Sequence, residues 1–280
     1  MIVFENLLKL MKKSLFCTLV ILAAAGLLCS SRPVAAAGRY TEAISSEGRE
    51  IVKQERAVGR FSSLVSAGST PVTYIQSSMS KVVIEGSPEF IDKMITEVRG
   101  GTLHIEMKRG NYRNLNLRVT VYSPVLDEVS MAGSGSFYDE KGHKTEGNVN
   151  YSSAGSGRIS VGRLDCGSFN AHLSGSGKLS VDDLSCSEAS LSASGSGGIT
   201  VRKVVSSGDV SIRLAGSGYG LIDDADIGDL EIRISGSGSV KVNGRAMNVT
   251  ASTSGSGSIM GDLKFLHLDT RVSGSGRVRF

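Results

Sequence analysis

The sequence predicts an all-β chain folded as a parallel β-helix, or β-solenoid. The main observation is a four-residue motif, Ala or Ser followed by Gly-Ser-Gly, that occurs eight times between Met131 and Phe280 at intervals of 19 to 22 residues. Such a regular period over half of a chain is typical of a solenoid, in which each repeat forms one coil stacked on its neighbours. The second observation is the alternation of apolar and polar residues on both sides of the motif, as in strands with one buried face.

Each motif is predicted to form the corner between two strands. The glycine pairs are Gly133/Gly135, Gly155/Gly157, Gly175/Gly177, Gly195/Gly197, Gly216/Gly218, Gly236/Gly238, Gly255/Gly257 and Gly274/Gly276. Seven of the eight residues four positions after the first glycine are apolar, and the residues two and four positions before it are mostly apolar as well. Glycine permits positive φ and close backbone approach at such a corner, and the small residue before it lets corners stack at a strand spacing of roughly 4.8 Å.

This array, with the β-rich segment and the leader before it, resembles the head GIN domain family, the autotransporter-adhesin heads of gut Bacteroidetes and their relatives. The resemblance covers residues 61–280. It implies a right-handed parallel β-helix related in shape to pectin lyases but without their catalytic residues, and it implies a role in cell adhesion. Likeness to trimeric adhesins further suggests a homo-oligomer, a trimer by analogy. The resemblance supplies no catalytic or binding residue.

The first 37 residues have the pattern of a signal peptide. Three lysines within Lys9–Lys13 precede an apolar run, Leu15–Leu28, and an Ala-x-Ala cleavage pattern ends at Ala37. The run is shorter than the ~20 residues that a membrane-spanning helix needs. Cys29 raises a lipoprotein alternative, which the bulky residue before it disfavours. We therefore expect an exported protein, located at the cell surface, secreted or periplasmic.

The segment between the leader and the array is predicted in two parts. Residues 38–60 are mostly polar and charged, which indicates a flexible lead-in that ends in a candidate first strand around Ile51, Val52 and Val58, and residues 61–126 contain short alternating runs typical of early coils. One short helix is expected at about residues 88–98, because Pro88 suits a first helical position and Gly100 follows an apolar stripe. We expect this helix to cap the open end of the solenoid, with a partner-binding helix as the alternative. Residues 127–280 then form the eight-repeat array.

Removal of the leader leaves nearly equal numbers of basic and acidic residues, so charge gives no argument for a nucleic-acid partner. Two cysteines remain, Cys166 and Cys186, each eleven residues after the first glycine of its motif. They therefore share a register on adjacent coils, where a spacing near 4.8 Å lies within disulfide range. Export would permit oxidation. A disulfide and a buried pair of thiols both stay open.

The solenoid shape makes a carbohydrate-active enzyme the first enzyme to consider. Such an enzyme needs carboxylates at coordinated positions on one face, and the candidates are Asp182 with Asp183, and Asp223, Asp224 and Asp226. Asp is also common in turns, because its side chain bonds the nearby backbone, and pectinase-like motifs are missing. The spacing of Cys and His fits no metal site, and no cofactor motif occurs. We therefore expect a protein that is not an enzyme and that holds no metal or cofactor.

Function is expected on the outward face of the strands that enter the motifs. Arg213, Arg233 and Arg271 lie three residues before the first glycine of their motifs, and Tyr219 is a candidate stacking platform for a sugar ring. We select these four as candidate binding residues for a polysaccharide, host-surface or envelope ligand. A soluble β-surface with weak cross-coil ion pairs is the plainer alternative. A structural envelope protein that self-assembles through its coil ends is the other.

Overall fold

The computed structural model describes residues 39–46, 49–113 and 115–280, and it describes side chains from Ile51 onward. The predicted signal peptide and its cleavage position lie outside these residues. None of the helices in the described part is long and apolar enough to cross a membrane.

The described residues form 24 strands and one helix, joined into a single sheet that winds around the core. The strands are β1 (Arg39–Ser46), β2 (Arg49–Ala57), β3 (Ser63–Gly68), β4 (Val72–Gln76), β5 (Lys81–Gly86), β6 (Met94–Arg99), β7 (Thr102–Met107), β8 (Leu117–Ser123), β9 (Glu128–Gly133), β10 (Ser136–Asp139), β11 (His143–Lys144), β12 (Asn148–Gly155), β13 (Arg158–Asp165), β14 (Ser168–Gly175), β15 (Lys178–Cys186), β16 (Glu188–Gly195), β17 (Gly198–Ser206), β18 (Val210–Gly216), β19 (Tyr219–Gly236), β20 (Ser239–Gly255), β21 (Ser258–Met260), β22 (Leu263–Lys264), β23 (His267–Gly274) and β24 (Arg277–Arg279). The helix is α1 (Pro88–Ile91).

The predicted fold class is confirmed: the chain is a β-solenoid of about eight turns. From β9 onward each strand pairs in parallel with the equivalent strand of the next coil. In the pair β12 and β14, for example, the register runs without interruption from Asn148 opposite Ser168 to Gly155 opposite Gly175. Because the register stays the same from coil to coil, residues at one position of the repeat form columns along the solenoid axis.

The glycine column begins one coil earlier than the sequence motif indicates. Gly68 lies opposite Gly133 in the pair β3 and β9 and has a similar positive φ, 116° against 106°. The amide of Gly135 donates to the carbonyl of Gly68 at 2.8 Å. Sequence inspection missed this copy because Thr70 stands where the motif has its second glycine.

Residues 39–46 and 49–57 form two strands in place of the predicted flexible lead-in. β1 and β2 pair antiparallel, and β2 pairs antiparallel with β5. The inward positions of β2 are partly polar, which hid the strand in the sequence. Arg56 satisfies its guanidinium there by donating to the carbonyls of Met94 at 2.7 Å and Ile91 at 2.8 Å, and to the side chain of Gln54 at 2.7 Å.

The predicted helix at about residues 88–98 is wrong in its extent. α1 ends at Ile91, and the following residues form β6, which pairs antiparallel with β7. The β-branched Ile95 and Val98 favour a strand. Gly100 and Gly101, with φ of 55° and 79°, make the turn of this hairpin. The end of the solenoid is therefore continued by antiparallel strands, β6 on one side and β5, β2 and β1 on the other.

The core at this end contains stacked aromatic rings and buried polar groups. Tyr151 lies between Phe137 and Phe169, with ring centroids 5.9 and 5.6 Å apart in edge contacts. The hydroxyl of Tyr74 donates to the carbonyl of Ser123 at 3.0 Å. By contrast, the hydroxyl of Tyr151 is buried and has no hydrogen-bond partner within the described part of the chain.

Candidate functional site

The first glycines of the eight motifs form a tightly stacked column at one corner of the solenoid. Their φ angles lie between 103° and 127°, a region that residues with a side chain rarely adopt. A Cβ atom at any of them would lie 2.4 to 2.8 Å from the carbonyl oxygen of the glycine one coil below. Both conditions require glycine, so the corner is a smooth edge of backbone.

Small side chains beside this corner leave a trough along the outer surface. The residue before each first glycine is Ala or Ser and points outward, next to a column two residues earlier in which Ser alternates irregularly with His172, Arg213, Arg233 and Arg271. The trough has a volume of about 620 Å³. Its floor is formed in part by Ser194, Ala215, Ser235, Ser254 and Ser273. Five coils at the strand spacing give the floor a length of roughly 19 Å.

Three of the four predicted binding residues lie together on one wall of the trough. Arg213 is directly opposite Arg233 in the ladder, and Arg271 follows two coils further, beyond Ser252. His172 completes the lining at the other end. The wall therefore presents three guanidinium groups along a line parallel to the solenoid axis.

Tyr219, the fourth predicted residue, lies on the other side of the corner and does not line the trough. Its ring covers Gly198 of the preceding coil, where a Cβ atom would lie 2.2 Å from the ring. The contact explains why this coil has glycine at a strand position. Tyr219 has a packing role here, and 37% of it stays exposed.

Glu231 orients two of the arginines and was missed in the sequence. It forms ion pairs of 2.5 Å with Arg213 and with Arg233, while Arg271 lies 3.5 Å from Asp269. Exposed pairs of this kind contribute little stability. A guanidinium has five N–H donors, and Arg233 uses one of them, on Nη2, for Glu231. The sequence signal was the acid two residues before Arg233 and Arg271, at a spacing that alternation places on the same face; Arg213 has Ser211 at that position and pairs with the acid of the next coil.

A second depression, of about 450 Å³, lies on the opposite side of the arginine wall. Its lining includes four acids, Glu188, Asp209, Asp229 and Glu231, against the single base Arg213. Asn and Ser side chains continue the same columns toward the earlier coils. The face as a whole thus carries more acidic than basic groups, which disfavours a polyanion such as nucleic acid.

The acidic residues considered for catalysis lie in cross-coil ion ladders. Asp183, Lys203 and Asp224 stand opposite one another on three successive coils, so a cation separates the two carboxylates. Arg202 lies 3.6 Å from Asp182 and 3.7 Å from Asp183. Basic residues therefore lie beside Asp182 and Asp183 and between Asp183 and Asp224.

Asp226 is held by Arg245 through two hydrogen bonds of 2.6 Å. These bonds, more than any other interaction, hold the pKa of Asp226 below its ordinary value. A general acid needs a raised pKa so that it carries a proton at neutral pH. Asp226 is therefore one member of a cross-coil ion pair on the surface, and its lowered pKa does not suit a general acid.

Cys166 and Cys186 are free thiols in the structure, and both are buried. Burial raises the pKa of Cys166 from 9.0 to about 12 and that of Cys186 to about 11. A thiol with such a pKa carries almost no thiolate near neutral pH and is a poor nucleophile. The two residues contribute to the core and lie away from the trough.

The chain is a β-solenoid with a trough on its outer surface, and comparison with known proteins gives its family. The chain belongs to the family described as putative auto-transporter adhesin, head GIN domain, which matches residues 60–185 and 185–280. No curated protein matches the chain.

Crystal structures of proteins from Bacteroidetes have the same fold. A putative lipid binding protein from Parabacteroides distasonis is 25% identical, with a TM-score of 0.70, over 84% of this chain and 98% of that one. A putative adhesin from Parabacteroides merdae is 18% identical, with a TM-score of 0.73 over the same shares. A putative adhesin from Bacteroides fragilis is 20% identical, with a TM-score of 0.63, over 82% of this chain and 96% of that one.

Proposed function

We propose that this chain is an exported, non-enzymatic adhesin-like module that binds a carboxylate-bearing polysaccharide along the trough. The observation that carries the proposal is the alignment of Arg213, Arg233 and Arg271 on one wall of a groove that crosses five coils. Membership of the adhesin-head family supports the same class of function. An extended polymer is the ligand whose shape matches a groove of this length.

The chemistry of the two walls favours widely spaced carboxylates over a dense polyanion. Guanidinium groups recognise carboxylates through paired, charge-assisted hydrogen bonds. Glu231 and Asp269 offset much of the local positive charge, so a ligand with one charge per phosphate along its backbone gains little. The Ser hydroxyls of the floor can both donate to and accept from sugar hydroxyls. The Ala side chains and the glycine edge give a flat surface for sugar rings.

Lipid binding is the second candidate, because the protein from Parabacteroides distasonis that is 25% identical is named for lipid binding. Ala215 and the exposed Val272 give the trough apolar surface beside its Ser hydroxyls. An acyl chain would lie on the floor, and an anionic headgroup would contact the arginines. This candidate predicts binding to anionic vesicles without affinity for oligosaccharides.

The decisive experiment is titration of the purified chain with acidic and with neutral oligosaccharides by calorimetry, with product analysis of every mixture. We expect saturable binding of acidic oligosaccharides without cleavage. Arg233→Ala should weaken that binding roughly tenfold or more, since a hydrogen bond to a charged group is lost. Ser235→Tyr should abolish it by filling the floor, with all three arginines kept.

Arg202→Ala is the matched control. The side chain of Arg202 is 60% exposed, as that of Arg233 is, and it too contacts acidic residues, but it lies on another face. It should leave binding unchanged. Equal losses in the Arg202 and Arg233 variants would overturn the assignment to the trough, and any cleaved product would overturn the non-enzymatic proposal. Binding to anionic but not zwitterionic vesicles, with no binding of oligosaccharide, would transfer the function to the lipid candidate.

A further inference from the structure

In the last coil, the side chains at positions that face the core in the preceding coil are exposed. All eight residues of β23 are exposed, whereas the strands before it alternate between buried and exposed. Leu268 and Val272 lie opposite the buried Val249 and Thr253 of the preceding coil, yet they are 41% and 49% exposed. Leu266 beside them is 71% exposed. The structure therefore presents an apolar surface at this end of the solenoid.

The outer edge of β23 is also open. In the described part of the chain β23 pairs with β20 on one side, and its other side offers unpaired N–H and C=O groups. An open edge is a template for another strand unless charges protect it. The neighbouring β24 has such protection, with Arg277 and Arg279 on either side of Val278. β23 instead carries one acid and one base, Asp269 and Arg271.

We propose that β23 pairs antiparallel with β23 of a second copy, about a two-fold axis at Thr270. The sequence Leu268-Asp269-Thr270-Arg271-Val272 is self-complementary in this arrangement. Asp269 then lies opposite Arg271 of the second copy, and Leu268 lies opposite Val272 of the second copy. Opposed residues of antiparallel strands project from the same face, so the charged pairs meet on the outside and the apolar pairs meet over the core.

Neighbouring registers lack this match. An axis at Asp269 would place the two carboxylates opposite each other, and an axis at Arg271 would do the same with the two guanidinium groups. A shift by one residue of pairing would set an inward side chain opposite an outward one. Among these registers the one centred on Thr270 alone satisfies both the charges and the apolar residues.

The proposed pairing closes on itself and has a consequence for the trough. A two-fold interface uses the same edge of both copies, so it gives a dimer in which neither β23 edge remains open. Because the axis stands perpendicular to the sheet, the outer faces of the two copies continue into each other. The two arginine walls would then lie on one continuous face, with an Arg271 from each copy near the centre.

Site-specific crosslinking of the full chain tests the register. Directly opposed Cα atoms in an antiparallel pair are about 4.5 to 5.5 Å apart, within the range that a disulfide spans. Thr270→Cys should therefore form covalent dimers under mild oxidation. Leu268→Cys alone should not, but an equal mixture of Leu268→Cys and Val272→Cys should. Thr250→Cys, at an exposed position one coil earlier, is the control for random crosslinking.

Charge reversal tests the energetics by sedimentation and light scattering. We expect the wild-type chain to show a monomer–dimer equilibrium. Asp269→Arg should raise the dissociation constant roughly tenfold or more, because two attractive pairs become repulsive. The double variant Asp269→Arg with Arg271→Asp should restore it. Circular dichroism confirms that each variant is folded.

Three results would overturn the proposal. The first is a wild-type chain that stays monomeric at its highest soluble concentration, together with no crosslinking of Thr270→Cys. The second is crosslinking of Leu268→Cys alone as efficient as that of Thr270→Cys. The third is a trimer, the state that the family resemblance suggests, because three copies cannot share a two-fold edge.

Discussion

Substitution of Gly195 by Ala tests the stacking that defines this fold. Gly195 has φ of 109°, and a Cβ atom there would lie 2.6 Å from the carbonyl oxygen of Gly175. The contact is with backbone that belongs to a parallel ladder, so the neighbour cannot move aside without breaking hydrogen bonds of its own. One added methyl group therefore destabilises the fold in two ways, by backbone strain and by a steric clash.

Each cost can be assigned a magnitude. A residue with a side chain in a left-handed conformation costs roughly 1–2 kcal/mol, and overpacking against a fixed neighbour costs typically about 1–3 kcal/mol. We expect Gly195→Ala to lower the free energy of unfolding by about 2–5 kcal/mol in total. That is a large fraction of the stability of an ordinary domain.

Two other glycines separate the costs. Gly100 has φ of 55°, and a Cβ atom added there would meet nothing within 4 Å, so Gly100→Ala carries the backbone strain alone. The φ of Gly197 is not in the left-handed region, but its Cβ would lie 2.7 Å from the carbonyl oxygen of Gly177, so Gly197→Ala carries the clash alone. We expect the loss for Gly195→Ala to approach the sum of these two losses.

Equilibrium unfolding in urea, followed by far-ultraviolet circular dichroism, measures the three losses. The slope of the transition must stay the same in all variants for the midpoints to be compared as stabilities. If Gly195→Ala and Gly197→Ala cost no more than Gly100→Ala, the glycine column is not required for close stacking of the corners, and the argument from the Cβ distances is wrong.

Two further predictions concern buried polar groups. Tyr151→Phe should raise the free energy of unfolding by about 1 kcal/mol or more, because it removes a buried hydroxyl that has no partner within the described structure. Tyr74→Phe should lower it by about 1 kcal/mol, because the hydrogen bond to Ser123 is lost. Thermal unfolding that ranks the stabilities of the two variants the other way would contradict this prediction. Cys166 and Cys186 have raised pKa values of about 12 and about 11 in the folded chain, so the folded chain retains protons that the unfolded chain releases above pH 9.0. The contribution of the two thiols to stability is therefore complete below pH 9.0 and is lost as the pH rises through their folded-state pKa values. Urea midpoints should therefore fall less steeply with alkaline pH when both cysteines are replaced by Ala, and an unchanged slope would argue against buried free thiols.

The sequence predicted the array correctly because the pattern that defines each coil is local and is repeated in every coil. Alternation and a glycine at each corner follow from the backbone of every coil, so eight copies carry the same information. The N-terminal end was predicted less well, since its strands pair with partners far along the chain. The inward side of β2 is occupied by Gln54 and Arg56, whose burial depends on carbonyls of residues about 35 positions later, and no local pattern reveals such partners.

The candidate site shows the same division. Alternation placed Arg213, Arg233 and Arg271 on one face, and the constant register then brought them into line. The contact of Tyr219 with Gly198 of another coil could not be predicted from its own repeat. The small Ala or Ser before each glycine is visible in the sequence, but only the structure shows that these residues line up as the floor of a trough.

The requirement for small residues at the corner also separates the constraints on folding from those on binding. The columns at the corner need glycine and a small neighbour, and the inward columns are mostly apolar, so most substitutions in them cost stability. The outward columns three and five residues before the first glycine, which hold Arg213 and Glu231, contact each other, solvent and nearby backbone carbonyls. Substitutions in them can change the lining of the trough while the solenoid stays intact. The fold therefore creates a groove whose surface chemistry can vary without a change of scaffold.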